Sequence, residues 1–124
     1  MKILIVEDNE LNRDMLKRRL ERNGYTVDCA VDGPQGIAMA ASAQPDIILM
    51  DVALGEVDGW EATQSIHANP STATIPVIAL TAHALESDRL KSIEVGCVDF
   101  ETKPVSLPDL IRKIEQHGGA RVHG

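Results

Sequence analysis

The stretch that decides the fold is Ile47-Ile48-Leu49-Met50-Asp51, in which four apolar residues run directly into one carboxylate. The turn signal Pro45-Asp46 precedes it. An apolar run of this length predicts a strand buried on both faces of a parallel sheet. Such a strand tolerates a charged group at its end, where the chain leaves the core. Because ligands bind beyond the carboxyl ends of the strands in open parallel sheets, we expect Asp51 at a ligand-binding edge.

The composition indicates one ordinary domain of 124 residues with an aliphatic core. Hydrophobic residues make up 44% of the chain, but the aromatic residues are Tyr25, Trp60 and Phe100 alone. The formal net charge of −7 argues against direct binding of nucleic acid, which favours a basic surface. The sequence shows no signal-peptide pattern and no long apolar span, so we expect a cytoplasmic protein without membrane contact. Cys29 and Cys97 lack metal-ligand spacing and are expected to be buried thiols rather than a disulfide.

Predicted strands alternate with predicted helices along the chain. Apolar runs predict strands at 2–6, 25–30, 47–51, 77–81 and 98–100. Helical patterns and capping signals predict helices at 9–23, 34–43, 60–68, 86–95 and 106–117. Five strand–helix units of this kind predict a single α/β domain over residues 1–117. Residues 118–124 have no pattern and are expected to form a flexible tail.

The first predicted helix carries two kinds of side chain. Leu11, Met15, Leu16 and Leu20 recur at helical spacing and predict its apolar stripe. The basic residues lie largely off that stripe, and they are Arg13, Lys17, Arg18, Arg19 and Arg22. A charged face of this kind is most simply solvated. We likewise expect His67, His117 and His123 to be solvated, and Tyr25 and Trp60 to be packing residues.

Polar side chains cluster at the ends of the predicted strands. Glu7-Asp8 follows the first strand, Asp51 ends the third, Thr81 ends the fourth, and Lys103 follows the fifth. Three carboxylates at one edge of a parallel sheet repel one another strongly unless something neutralises them. Grouped oxygen ligands suit Mg²⁺, and a hydroxyl with an ammonium group completes a site for a phosphoryl group. Asp51 would then be the nucleophile that forms an acyl phosphate.

These residues resemble the receiver domains of two-component response regulators over about residues 1–117. The segments that carry the resemblance are ILIVEDN at the start, ILMD at 48–51, Asp58-Gly59, PVIALTA around Thr81, and Lys103-Pro104. The resemblance implies a single, doubly wound (βα)5 domain of the flavodoxin-like type. Its five parallel strands would lie in the order 2-1-3-4-5.

The resemblance also implies a metal site. Glu7 and Asp8 would hold Mg²⁺, directly or through water, and Mn²⁺ would be a substitute. Asp51 would be both the phosphoacceptor and a metal ligand, and the backbone carbonyl of Ala53 would be the third protein ligand. Ala53 also occupies a position that, by resemblance, tunes how fast the phosphoryl group is lost, and its side chain is too short to orient a water molecule.

Further roles are implied on the other side of Asp51. Thr81 and Lys103 would contact the phosphoryl oxygens, and Phe100 would follow the Thr81 hydroxyl inward as a switch. The peptide before Pro104 is commonly cis in such domains, although most X–Pro bonds are trans. His83 occupies the second position implied to tune the phosphate lifetime.

Two departures from the usual receiver pattern are visible. Leu54-Gly55 stands where the family usually has Met-Pro, which predicts a more mobile loop after Asp51. Phe100 lacks the hydroxyl of a tyrosine, so its outward and inward orientations are expected to differ by packing alone.

The resemblance implies a phosphoacceptor signalling domain rather than an enzyme. The donor would be a sensor histidine kinase or a histidine phosphotransfer protein, docked in part on the basic first helix. A downstream protein target would read a face formed by His83, Arg89, Phe100, Glu101 and the last helix. The chain would be a monomer or a phosphorylation-dependent dimer.

Two arrangements remain open for the whole protein. The start Met1-Lys2-Ile3 favours a stand-alone regulator, most similar to single-domain regulators of the cell-cycle type. The alternatives are a receiver from a hybrid histidine kinase or a longer regulator, or an intermediate in a phosphorelay.

Two other functional classes fit less well. A flavodoxin-like cofactor site needs a phosphate loop after the first strand, where Glu7-Asp8 would repel the anion. A phosphohydrolase of the haloacid dehalogenase type needs a second acid two residues after the nucleophile, where this chain has Ala53.

Overall fold

The computed structural model describes residues 1–55, 57–82 and 86–123, with side chains described through residue 118. Within these residues, five strands alternate with five helices. The strands are β1 (Lys2–Val6), β2 (Thr26–Ala30), β3 (Ile47–Asp51), β4 (Val77–Thr81) and β5 (Asp99–Thr102). The helices are α1 (Glu10–Arg22), α2 (Gly33–Ala43), α3 (Gly59–Ala68), α4 (Glu86–Glu94) and α5 (Leu107–His123).

The five strands form one sheet in the order β2-β1-β3-β4-β5, and every neighbouring pair is parallel. This order confirms the predicted doubly wound fold. The central strand β3 is buried at all of its positions, as the apolar run predicts. Ile48 and Met50 pack in the cluster that includes residues of α2 and α3, whereas Ile47 and Leu49 pack with residues of α1 and α5. The core therefore has two halves, one on each face of the sheet.

Side-chain caps start three helices close to the carboxyl ends of the preceding strands. Asn9 caps α1, Asp32 caps α2 and Asp58 caps α3, each by accepting a backbone N–H three residues later. The Gln35 side chain in turn accepts the N–H of Val31 at 2.7 Å. These bonds satisfy backbone donors that would have no partner in the first turn of a helix.

The structure differs from the sequence-based predictions at two helices. In α1, Leu16 and Leu20 are buried, but Leu11 and Met15 are 78% and 47% exposed. The first half of α1 lies near the carboxyl edge, where less of the sheet is available to pack against. Helix α5 continues to His123, past the point where a flexible tail is predicted. Gly118 is buried, and a Cβ there would lie 2.8 Å from the Sδ of Met1, so its lack of a side chain lets α5 pass close to the start of the chain.

The structure can be compared with the predicted burial of the cysteines and the predicted solvation of the histidines. Both cysteines are free thiols, Cys97 buried and Cys29 half-buried, and burial raises the pKa of Cys97 to about 11. The expectation of solvated histidines is wrong at two positions. His67 Nε2 lies 3.2 Å from the carbonyl oxygen of Ile75, and His117 Nε2 lies 3.1 Å from Asp99. Across the described part of the chain, no helix has the length and apolar character needed to cross a membrane.

Two exposed glycines allow a direct test of backbone conformation. A Cβ added at Gly55 or at Gly24 would meet no atom within 4 Å. The φ angle of Gly24 is +90°, in the left-handed region that favours glycine, whereas the φ angle of Gly55 lies outside that region. Gly55→Ala is expected to stabilise the protein by about 0.4 to 1 kcal/mol, because alanine restricts the unfolded chain. Gly24→Ala is expected to destabilise it by about 1 to 2 kcal/mol. Urea unfolding measures both changes, and a stabilising Gly24→Ala or a destabilising Gly55→Ala would contradict this explanation.

Tyr25 connects the start of β2 to α5 by donating its hydroxyl to Glu115. Burial, the hydrogen bond to Glu115 and the charge of that carboxylate raise the pKa of Tyr25 to about 12. Because the chain has one tyrosine and the indole of Trp60 does not titrate, the rise in absorbance at 295 nm with pH reports the ionisation of Tyr25 alone. We expect the folded protein to titrate near that value, and Glu115→Gln to lower the pKa without returning it to 10.

The same shift has a consequence for alkaline stability. A pKa that is higher in the folded state gives a contribution that is fully present below the unfolded value of about 10. This contribution is lost as the pH rises toward the folded value. Tyr25→Phe should therefore show a flatter fall in unfolding free energy above pH 10 than the wild type. If Tyr25→Phe and the wild type showed the same slope above pH 10, Tyr25 would not be the group responsible for this loss of stability.

Candidate functional site

The strand registers bring the predicted site residues to one edge of the sheet. Val6 pairs with Met50, so Glu7 is level with Asp51 at the ends of β1 and β3. Asp51 pairs with Leu80, so Thr81 lies one residue further along β4. Thr81 pairs with Thr102, and Lys103 follows directly. The carboxyl ends of four parallel strands thus present acidic, hydroxyl and basic side chains together, as the sequence predicts.

The acidic residues form a cluster at this edge. One carboxylate oxygen from each of Glu7, Asp8 and Asp51 lies within 4.8 Å of the others. Glu7 and Asp51 are 3% and 2% exposed, whereas Asp8 is exposed. The ammonium group of Lys103 lies 3.1 Å from Glu7 Oε2 and 3.1 Å from Asp51 Oδ2. Two nearly buried carboxylates therefore share one cation, and the third faces solvent.

Hydrogen bonds fix the other oxygens of these carboxylates. Glu7 Oε1 accepts the N–H of Asn9 at 3.2 Å, and Asp51 Oδ1 accepts the N–H of Ala53 at 3.0 Å. The carbonyl oxygen of Glu7 accepts a hydrogen bond from Arg13 Nη1 at 3.0 Å. Each oxygen of the Glu7 and Asp51 side chains therefore has a donor. This arrangement holds both carboxylates in place before any ligand binds.

The pKa values reflect the crowding of like charges. Burial raises the pKa of Glu7. The hydrogen bond to Asp51 and the negative charge of Asp51 raise this pKa further, whereas Lys103 lowers it by a smaller amount. Burial lowers the pKa of Lys103, but the hydrogen bonds and charges of Glu7 and Asp51 outweigh it and the net shift is upward. The carboxylates thus hold the lysine in its charged form. The lysine offsets only part of their repulsion.

The donor set fits a divalent cation. With every group ionised, the three carboxylates and Lys103 carry a net charge of −2, from three negative charges and one positive charge. Magnesium ions prefer hard oxygen ligands and usually take one or two carboxylates while keeping several waters. An exposed carboxylate beside two fixed ones suits this mode, since the exposed side remains open to water. Glu7, Asp8 and Asp51 are the side chains that would hold the ion.

The remaining predicted residues lie around this cluster. Thr81 is 1% exposed, and its carbonyl oxygen accepts the N–H of Lys103 at 2.6 Å. The Lys103–Pro104 peptide is cis, as the resemblance implies. Phe100 is half-buried on β5 and packs against the core cluster that contains Met50 and Ala79. His83 lies outside the described residues.

Backbone contacts bring α3 close to Asp51. The N–H of Gly59 donates to the carbonyl of Val52 at 3.2 Å. A Cβ on Gly59 would lie against the Asp51 carbonyl oxygen and 2.6 Å from the Cα of Val52. Only glycine fits at this position, because its neighbours are backbone atoms that cannot rotate away. The Asp58-Gly59 pair thus caps α3 and sets its distance from the end of β3.

The role of Arg13 differs from the prediction. Arg13 was expected among the solvated basic residues of the first helix, whereas its guanidinium reaches back to the loop that carries Glu7 and Asp8. The side chain is half-buried. The helical period gave no signal for this contact, because it depends on how α1 leaves the strand.

A groove of about 510 Å³ lies beside the site. From α1 it is lined by Asn12, Met15, Leu16 and Arg19. From the opposite side it is lined by Lys103 and the two residues that follow. The groove is therefore adjacent to the acidic cluster, and its α1 wall includes the exposed Met15.

Comparison with known proteins identifies one family across most of the chain. The model of the response regulator receiver domain matches residues 3–115. The chain is 37% identical over 117 residues to the polar-differentiation response regulator DivK of Brucella anthropi, covering 94% of this chain and 95% of that protein. It is 41% identical over 104 residues to the response regulator PleD of Caulobacter vibrioides, but it spans 23% of that protein's length.

Two solved structures are informative about the site. One is the receiver domain of the sensor histidine kinase PA1611 from Pseudomonas aeruginosa, whose structure has a magnesium ion in the active-site cleft. It matches this chain with a TM-score of 0.88 and 37% identity, and the match covers 95% of this chain and 97% of that chain. The receiver domain of Ssk1 from Saccharomyces cerevisiae, crystallised with the histidine phosphotransfer protein Ypd1, has a TM-score of 0.87 and 30% identity, covering 95% of this chain and 88% of that one.

Proposed function

We propose that this chain, which belongs to the response regulator receiver domain family, is a phosphorylation switch in which Asp51 accepts a phosphoryl group from a histidine of a partner protein. The observation that carries the proposal is the position of Asp51. Its carboxylate is buried at the open edge of the sheet, 3.1 Å from the ammonium group of Lys103 and beside two further carboxylates. A nucleophile held in this way needs positioning and charge compensation more than proton transfer.

The transfer step follows from this geometry. An oxygen of Asp51 bonds to phosphorus as the phosphorus–nitrogen bond of the donor phosphohistidine breaks, and the electron pair stays on the imidazole nitrogen. Lys103 is placed to offset the charge of the phosphoryl oxygens, and the N–H of Ala53 holds Asp51 during the approach. Bound Mg²⁺, for which Mn²⁺ would substitute, supplies further positive charge at the transferring group. Thr81 is proposed to contact the phosphoryl group from the end of β4.

The product is a signal rather than a released metabolite. We propose that the domain catalyses only its own phosphorylation and slow dephosphorylation, with Ala53 and His83 affecting the lifetime. Phosphorylation would shift the equilibrium of the face formed by α4, β5 and α5 through contacts with Thr81 and Lys103. A downstream protein would read that face. A cytoplasmic location, and a monomer or phosphorylation-dependent dimer, complete the proposal.

The relatives support two arrangements of the whole protein. DivK is matched over nearly its whole length, whereas PleD is matched over about a quarter. We propose a DivK-like arrangement, with a receiver of a hybrid kinase or a longer regulator, or a phosphorelay intermediate, as the alternative. The role of Asp51 is the same in each.

Intact mass tests the acceptor directly. The protein is incubated with acetyl phosphate in Mg²⁺ or in chelator, as wild type and as Asp51→Asn. One added phosphoryl mass that requires both Mg²⁺ and Asp51 is the expected result. If the wild type gains no mass and also fails to bind beryllofluoride, a mimic that fast hydrolysis cannot remove, the proposed switch is wrong.

The groove beside α1 supports a docking site for the phosphodonor. Met15 is exposed there, and Arg19 carries a positive charge at the same wall. A histidine phosphotransfer protein must bring its imidazole to Asp51 past this surface. We therefore propose that Met15 and Arg19 contact the donor, which on charge grounds would present acidic groups to α1.

A matched pair of variants tests this docking site. Met15→Glu is expected to slow transfer from a phosphorylated histidine phosphotransfer protein by at least about tenfold, through lost apolar contact. Its rate with acetyl phosphate should be unchanged, because that donor needs no protein surface. Ile93→Glu, at a residue 58% exposed on α4, is the control and should leave both rates unchanged. Equal slowing by both variants would contradict a donor site on α1.

A further inference from the structure

Strand β5 is one edge of the sheet, and side chains bind its backbone at Phe100. The N–H of Phe100 donates to Asp99 Oδ1 at 2.9 Å. Its carbonyl oxygen accepts a hydrogen bond from the ammonium group of Lys113 at 2.6 Å. On an edge strand, half of the backbone groups face away from the neighbouring strand and need other partners. Lys113 provides such a partner from α5.

Lys113 is also the centre of a charged cluster. Its Nζ lies 2.7 Å from Glu101 Oε2, 3.9 Å from Asp99 Oδ1 and 5.8 Å from the centroid of the Phe100 ring. One turn later on α5, His117 Nε2 lies 3.1 Å from Asp99 Oδ2. We name Asp99, Glu101, Lys113 and His117 the Lys113 cluster. The cluster joins β5 to α5 through residues on both sides of Phe100, to which the family resemblance assigns the role of switch.

Burial distinguishes this cluster from an ordinary surface ion pair. Glu101 is 7% exposed as a residue, and the side chain of Lys113 is 19% exposed. The neighbouring pair on α5, Arg112 with Asp109, is 3.3 Å apart with side chains 69% and 50% exposed. Exposed pairs of that kind contribute little to stability, whereas a buried pair fixes geometry because an unpaired charge there is costly.

We propose that Lys113 is a positioning residue for Phe100. By binding the Phe100 carbonyl and lying over its ring from α5, Lys113 fixes the resting orientation of this side chain. The same contacts set how far Phe100 moves when Asp51 is phosphorylated. This second statement rests on the proposed function, whereas the first concerns the unphosphorylated protein alone.

The single phenylalanine makes the test specific. Fluorophenylalanine labelling gives one ¹⁹F resonance, from residue 100. Four variants are compared with the wild type, all without a phosphodonor, and the fourth of them is Lys113→Arg. Lys113→Met with Glu101→Gln removes the cation and its buried partner together, so no unpaired carboxylate remains. Glu101→Gln alone leaves Lys113 bound to the Phe100 carbonyl. Arg112→Met removes a cation from the same helix without touching the Lys113 cluster.

We expect the double variant to shift or broaden the resonance by more than the wild-type linewidth. Glu101→Gln and Arg112→Met should stay within that linewidth. Lys113→Arg, which keeps a cationic donor, should leave the resonance at the wild-type position. A double variant with the wild-type resonance would overturn the proposal. Circular dichroism checks folding, and if the double variant does not fold, Lys113→Gln takes its place under the same criteria.

Addition of Mg²⁺ and beryllofluoride separates this proposal from the proposed function. In the wild type the mimic should move the resonance, and in the double variant that movement should fall to about half or less, because the starting population has already changed. An unchanged movement would overturn the coupling. If the wild type does not respond to the mimic at all, the switch function fails, while the ligand-free comparison still decides whether Lys113 positions Phe100.

Discussion

Replacing Gly59 by alanine is expected to lower the free energy of unfolding by about 3 kcal/mol or more, because the new Cβ meets backbone rather than side chains. The Cβ would lie 2.6 Å from the Cα of Val52 and 2.9 Å from the carbonyl carbon of Asp51. Relief requires α3 to move away from the end of β3, and Asp51 belongs to that strand end. We therefore expect weaker Mg²⁺ binding and slower phosphorylation in the molecules that remain folded.

Gly36→Ala is the matched control for this prediction. A Cβ on Gly36 would also meet close neighbours, at 2.8 and 3.0 Å, but these are the methyl groups of Val6. Val6 is buried and branched at Cβ, so its methyl groups must shift within the core, and the expected loss is about 1 to 2 kcal/mol. The end of β3 does not have to move, so the Mg²⁺ affinity should be near that of the wild type. Urea unfolding and a magnesium titration measure the two effects. Equal losses, or an unchanged Mg²⁺ affinity in Gly59→Ala, would contradict the role given to Gly59.

Replacing Lys103 by methionine is expected to cost about 3 kcal/mol of unfolding free energy in the metal-free protein at neutral pH. The change removes the cation that lies 3.1 Å from Glu7 and 3.1 Å from Asp51, and leaves two nearly buried carboxylates facing each other. Mg²⁺ should restore part of the loss, because it offsets the same charges. Capture of beryllofluoride or a phosphoryl group should fall sharply, since the oxygens of the ligand lose a cationic partner.

The loss in Lys103→Met should depend on pH in a defined direction. The pKa of Glu7 is already raised in the folded wild type, and removal of Lys103 removes a group that lowers it. A raised pKa means that the folded state binds the proton more readily than the unfolded state. The contribution of Glu7 to stability is therefore fully present below the unfolded value of about 4.5 and is lost as the pH rises through the folded value. The deficit relative to the wild type should therefore shrink on acidification.

Lys103→Arg distinguishes charge from side-chain shape. Arginine keeps a cation near both carboxylates. In the metal-free protein, the loss of unfolding free energy should therefore be less than about half of the loss caused by Lys103→Met. Its capture of the phosphoryl group should still be impaired, because the fork of a guanidinium does not reproduce the position of an ammonium group. A deficit in Lys103→Met that grows on acidification would contradict the electrostatic explanation.

The strand–helix alternation predicted an α/β domain, and the strand order came from the family resemblance. The strand-end residues were predicted because parallel sheets impose a general rule. A strand buried on both faces has to be apolar until it leaves the core, which identified Asp51, and parallel strands end at the same edge, which placed Glu7, Thr81 and Lys103 beside it. Neither inference depends on how the helices pack.

Features that depend on the placement of a helix could not be predicted in the same way. Helical spacing groups Leu11 with Leu16, but it does not show where α1 extends past the sheet, and Leu11 is exposed. The hydrogen bond from Arg13 to the Glu7 carbonyl and the contacts of Lys113 with Phe100 depend on the tilt of α1 and α5. The close approach of α5 to Met1 at Gly118 is likewise not indicated by any local sequence pattern.

Reductive trapping with borohydride tests the central claim most directly, because it identifies the residue that carries the phosphoryl group. Borohydride reduces an aspartyl phosphate to homoserine, and peptide mapping then locates the converted position. After incubation with acetyl phosphate and Mg²⁺, we predict conversion at Asp51 and none in chelator. Conversion at Asp8 or at another acidic residue, or no conversion in protein that has gained a phosphoryl mass, would contradict the assignment of Asp51 as the acceptor.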